Sequence, residues 1–299
     1  MARFRPYVLP AALILGLLLH SYCAQLSFLV PFVIFSILLL TFTAVDLRRL
    51  KLTMLDVWLM LFQVVVSIGC YLLIRLFGGD NTIAEGVLIG VLCPVASSVA
   101  VISCLLGANR ATVTTYTIVG NLMVALVAPI VFTLIGHHPE IGLWKSFLLM
   151  FTKIGSTLAL PFFLALALQL WWPKANAAIA RFNITGFYLW AVALLLTLGQ
   201  TIDFIFLHGE GHWYVIAWLG GLSLLFCVVQ FATGRLIGRR YGNRIGGGQL
   251  LGQKNSAMGI WMANTFLNPL AAVFLAFYSI YQNVFNAYQM AKTKKKSEK

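Results

Sequence analysis

The sequence predicts an all-α polytopic membrane protein. Apolar segments about 20 residues long recur from end to end, charged residues are only 10% of the 299, and the cations collect in alternate connections. A soluble domain of this length would carry about 25% charged residues to build its solvated surface. With 61% hydrophobic residues the chain has no such surface to build. Strands of a membrane barrel would alternate apolar and polar residues over about ten positions, and that alternation is missing.

A spanning helix takes about 20 mostly apolar residues. On that length the expected helices fall near 7–22, 25–45, 54–77, 83–106, 110–136, 144–171, 184–206, 212–238, 246–266 and 268–290. The first is expected to stay in place, since no small-residue cleavage site precedes a polar mature domain. The polar links between helices are short: Arg48–Lys51, Gly78–Asn81, His137–Glu140, Pro173–Asn183 and Arg239–Gly248. Seventeen of the 21 Lys and Arg residues fall on one side of a chain that crosses ten times. That bias is expected to put both termini in the cytoplasm of a bacterial inner membrane or plasma membrane. The tail lysines Lys292, Lys294, Lys295, Lys296 and Lys299 are then expected to meet anionic lipid head groups rather than nucleic acid. Trp144, Trp171, Trp172 and Trp213 sit near helix ends, as interfacial anchors do. Cys23, Cys70, Cys93, Cys104 and Cys227 lack metal-ligand spacing and read as small packing residues.

Ten helices divide into five and five, and an odd number per half makes the second half enter from the opposite side. Residues 1–172 are expected to hold the first repeat and the opening helix of the second. Residues 173–299 would hold the remainder and the basic tail, in one membrane domain. The fourth helix of each half is interrupted. The first contains Leu92-Cys93-Pro94-Val95-Ala96-Ser97-Ser98. The second contains Gly246-Gly247-Gly248 and then Gly252-Gln253-Lys254-Asn255-Ser256. Proline removes a backbone donor and crowds the preceding turn. In hydrocarbon, a broken helix is tolerated only where protein or a watery cavity encloses it. Breaks at matching positions are the sequence pointer to a transporter binding site.

At these segments the sequence resembles the bile acid:sodium symporter family. Cys93-Pro94 with Gly107-Ala108-Asn109, then Thr114, Thr115, Thr117 and Ala128-Pro129, is similar to its helices 4 and 5. Gly252-Gln253-Lys254-Asn255-Ser256 resembles its Gly-x-Gln-Asn-Ser. Asn268-Pro269 through Tyr278-Ser279-Ile280-Tyr281-Gln282-Asn283 resembles its last helix. The resemblance implies ten helices, a panel and a core, and broken helices that cross at the bilayer midplane. It also implies small organic anions as substrates, either bile-acid-like or hydroxy- or keto-acid carboxylates. Within it, the first sodium site falls on Leu250, Val99, Ala100 and Val113, and only Thr117 keeps an oxygen. At the second site the Gln becomes Lys254, while Gln63 keeps its position.

An intramembrane ammonium costs at least about 2.5 kcal/mol and marks a functional site by default. Lys254 is therefore expected to place its charge where sodium would sit, near Gln63 and Thr117, with transport uncoupled or coupled to a proton. Alternatively it snorkels to the cytoplasmic interface. Backbone N–H groups at the half-helix starts suit a carboxylate. Ser97, Ser98, Asn255, Ser256, Asn268 and Asn283 are expected to complete the substrate site. A sodium-coupled relative and a non-transporting receptor or scaffold are the rival readings. His208-Gly209-Glu210-Gly211-His212 and His137-His138 read as surface loops rather than metal sites. No catalytic constellation, phosphate loop or cofactor motif is visible.

Overall fold

The computed structural model describes residues 5–135, 142–208 and 211–297. The calls on His137-His138, on Gly209-Glu210 and on the side chains of Lys294–Lys299 lie outside the described residues. Described residues are helical apart from turns and short links, with no named strand. The helices are α1 (Arg5–Leu18), α2 (His20–Gln25), α3 (Val30–Thr43), α4 (Met54–Leu76), α5 (Asn81–Leu92), α6 (Val99–Leu105) and α7 (Arg110–Ile135). There follow α8 (Leu143–Trp171), α9 (Pro173–Ala180), α10 (Thr185–His208), α11 (Trp213–Arg240), α12 (Arg244–Gly252), α13 (Ser256–Phe266) and α14 (Ala272–Ser297).

Among the described residues, five segments are long and apolar enough to cross a membrane: Met54–Leu76, Arg110–Ile135, Leu143–Trp171, Trp213–Arg240 and Pro269–Thr293. A sixth is possible if Pro173–Ala180 and Thr185–Gln200, bent by 62°, count as one. The polar link expected at 173–183 is thus mostly a short helix, because Pro173 at its first turn starts a helix as readily as it ends one. Leu18, Phe32, Leu76, Leu134, Phe163 and Leu225 face outward, a surface only a bilayer would solvate. Trp144, Trp171, Trp172 and Trp213 are exposed at the ends of α8 and α11.

The helices pack in two groups. One contains α1, α2, α3, α8, α9 and α10; the other contains α4–α7 and α11–α14. The groups meet where α7 packs on α8 and α14 packs on α10. The innermost span is Pro269–Thr293, with 61% of its apolar window buried, against 12% for Leu143–Trp171.

The glycines before the second break have a different purpose from the one the sequence suggested. Gly246, Gly247 and Gly248 are helical and lie within α12. A Cβ on Gly247 would stand 2.3 Å from the Gly234 carbonyl, and one on Gly234 2.3 Å from the Gly247 carbonyl. Small residues here let the α11 and α12 backbones touch, the device membrane helices use in place of a hydrophobic drive. The break itself falls later, at Gln253–Asn255.

Candidate functional site

The site starts from a shortage of donors. In α5, Gly90 would bond the N–H of residue 94, but Pro94 has none. The next two amides turn elsewhere: Val95 N donates to Asn121 Oδ1 (2.8 Å) and Ala96 N to Gln253 O (3.1 Å). The last carbonyls of α5 therefore need outside partners. Gln63 Nε2 donates to Leu92 O and Cys93 O, both at 2.9 Å, and Tyr116 OH donates to Gln63 Oε1 at 3.0 Å. Lys254 Nζ donates to Val91 O at 2.8 Å.

The second break supplies the other half. Val95 and Lys254 form an antiparallel bridge, extended by Asn255 N donating to Pro94 O (2.8 Å). Gln282 clamps the backbone of Lys254, accepting from its N (2.7 Å) and donating to its O (3.0 Å). Tyr278 OH donates to Gly252 O (2.8 Å) and accepts from Gln230 (3.1 Å). The Cys93 thiol donates to Asn255 O (3.2 Å), so this cysteine does more than pack. The two unwound segments thus lie side by side and satisfy each other's backbone, which hydrocarbon would not do.

Lys254 is 1% exposed and points inward, so it does not snorkel. Among the described residues the ion pairs are His20–Asp203 and Arg48–Asp46, which leaves Lys254 without a carboxylate. Its partner is a carbonyl at the C-terminal end of α5, where the helix dipole is negative. Two expected neighbours have other tasks. Gln63 serves the adjoining carbonyls rather than the ammonium. Thr117 donates to Val113 O (2.8 Å) within its own helix, as β-hydroxyls in helices commonly do.

The four positions on which the sequence resemblance would place a sodium site converge. Val99, Ala100, Val113 and Leu250 are all at most 2% exposed and share one apolar cluster with Leu55, Leu59, Val95 and Tyr116.

A cavity of about 70 Å³ lies against the crossing. Ser97, Ser98, Lys254, Asn255, Ser256 and Asn283 line its polar wall, and α3 and α10 close the other with residues such as Ile37, Trp190 and Leu194. Ser256 Oγ is buried there without a partner, while Asn255 Oδ1 caps α13 by accepting from Met258 N (3.2 Å). Asn268 is not at this cavity. It opens a turn at the far end of α5, where its N–H donates to Glu85 (2.7 Å) and its amide to Thr82 (3.2 Å). Fifteen residues separate it from Asn283, roughly 22 Å along a helix. Sequence reasoning missed Asn121 and Gln282. An amide inside an apolar helix was their signal, but the backbone atoms they serve lie on other helices.

Comparison with curated proteins finds no match. Residues 19–290 match the SBF-like CPA transporter family, to which this chain belongs.

Proposed function

We propose that the protein is a secondary transporter of a small organic anion, that it works by alternating access without sodium, and that the ammonium of Lys254 stands in for a bound cation. The observation that carries this reading is the buried Lys254 Nζ on the freed Val91 carbonyl, at the crossing of two broken helices. Sodium needs several oxygen ligands in place of its water. The cluster of Val99, Ala100, Val113 and Leu250 offers apolar side chains instead, which supports sodium independence. If Lys254 releases its proton during the cycle, the same group becomes the coupling site. Its signature is a pH dependence of flux that Lys254→Met abolishes.

The substrate reading rests on the cavity. Ser97, Ser98, Ser256, Asn255 and Asn283 offer hydrogen bonds beside a positive charge, which suits a carboxylate. At about 70 Å³ the cavity holds a few waters, so an organic anion enters only when the α3–α10 wall moves away. The two packed groups of helices then act as panel and core. We read ten crossings: α1 with α2, α3, α4, α5 with α6, α7, α8, α9 with α10, α11, α12 with α13, and α14. In that count the broken crossings are fourth in each inverted half, and both termini share the cytoplasmic side.

The test is uptake of radiolabelled pyruvate and taurocholate by proteoliposomes, against vesicles without protein. Accumulation of either above the control supports a transporter. Binding to the protein with no accumulation of either would make it a receptor on a transporter fold.

A further inference from the structure

Helix α14 carries Ser279, Gln282, Asn283, Asn286, Gln289 and Thr293 at spacings of three and four, which form one stripe. The first four are buried, so the stripe faces protein rather than lipid. Its upper part lines the Lys254 cavity. Its lower part, Gln289 and Thr293, lines a second cavity of about 240 Å³ together with Arg235, Arg244 and Lys292. Among the described residues, no carboxylate lines that cavity.

The two cavities are joined by a file of amides. Gln253, next to Lys254, donates to Gln249; Gln249 donates to Gln289 Oε1 (3.2 Å), which also accepts from the Arg235 guanidinium. Along this file the whole Asn286 amide and the Gln289 Nε2 donor are buried without partners. A buried donor without an acceptor costs stability, and a ligand with acceptor oxygens would satisfy both donors. Arg235 is braced, its guanidinium 5.2 Å from the centre of the Phe285 ring, whereas Arg244 and Lys292 are exposed, with the Lys292 ammonium 6.0 Å from the centre of the Tyr288 ring.

We propose that this second cavity is an anion-docking site for carboxylate or phosphate oxygens, and that the α14 stripe is the route between it and the Lys254 cavity. Three cations with no carboxylate beside them among the described residues attract anions from solution and raise their local concentration. The unpaired donors of Gln289 and Asn286 then receive them in turn. The route depends on the transport reading above; the docking site does not.

Equilibrium binding to the full chain, with Arg244→Gln/Lys292→Gln as the variant, tests the docking site. One arm measures pyruvate and inorganic phosphate in phosphatidylcholine nanodiscs. The other measures phosphatidylglycerol retained from mixed lipid. A cation near a membrane surface is worth about 1 kcal/mol to such a ligand, or roughly fivefold in affinity, so the double variant should bind about 25-fold more weakly. A loss in the first arm assigns a dissolved anion, and a loss only in the second assigns a lipid head group. Unchanged binding in both arms overturns the site. The route is tested separately by Asn286→Leu, which should lower flux and spare docking. Wild-type flux in that variant overturns the route, whereas absence of flux in the unmodified protein removes the transport reading and leaves the binding result standing.

Discussion

Replacing Lys254 by methionine separates a working ammonium from a structural one. The change keeps most of the side-chain volume and the backbone clamp to Gln282, and it removes one bond, Nζ to Val91 O at 2.8 Å. Leaving that carbonyl unpaired costs about 1–3 kcal/mol. Against this, the ammonium no longer has to be held away from water, a penalty of several kcal/mol for a buried ion. The net effect on stability is therefore between zero and a gain of about 1–4 kcal/mol, as for other buried charges exchanged for apolar groups. Flux should move the other way. A hydrogen bond to a charged group contributes about 1.5–3 kcal/mol, so losing it from the transport cycle slows uptake roughly 10- to 100-fold. Thermal unfolding in detergent and uptake in proteoliposomes measure the two effects on one preparation. Wild-type flux at unchanged stability would show the charge to be idle. A large loss of stability accompanying the loss of flux would make Lys254 a structural residue.

Three further changes probe the crossing. Gly247→Ala forces α11 and α12 apart at a 2.3 Å approach and should destabilise by about 1–3 kcal/mol, read as a lower unfolding temperature. Asn121→Ala leaves Val95 N without its acceptor and should cost about 1–3 kcal/mol, again read by thermal unfolding, with flux reduced as the first break loosens. Leu250→Glu places a carboxylate where the sequence resemblance would set a sodium ligand, but Val99, Ala100 and Val113 still supply no oxygen side chains. It should destabilise by about 3–5 kcal/mol without binding radioactive sodium, and sodium-stimulated uptake by this variant would refute the ligand assignment.

What the sequence made legible was what the chain does to its own backbone. Pro94 marks a missing donor whatever surrounds it, and the polar run Gln253-Lys254-Asn255 after Gly252 both weakens a helix and needs enclosure in hydrocarbon, so both interruptions are legible in the sequence. Gly246-Gly247-Gly248 reads in sequence as part of the interruption, because a glycine that weakens a helix and one that admits a neighbouring backbone look alike until Gly234 is set against it. Asn268 and Asn283 belong to one polar-residue pattern in sequence, yet the turn at Pro269 leaves the first beside Glu85 and only the second at the cavity. Gln63 is expected beside the Lys254 ammonium, but its amide donates to two carbonyls of the first break instead, and its partners, like those of Asn121 and Gln282, are settled by packing between distant helices.

The most direct test of the central claim is the initial rate of anion uptake into proteoliposomes when all external sodium is replaced by potassium. With Lys254 as the resident charge and an apolar cluster where the sequence resemblance would place sodium, the rates in the two salts should be equal. A rate that falls severalfold without sodium, and recovers as sodium is added back, would contradict sodium independence and the role assigned to Lys254.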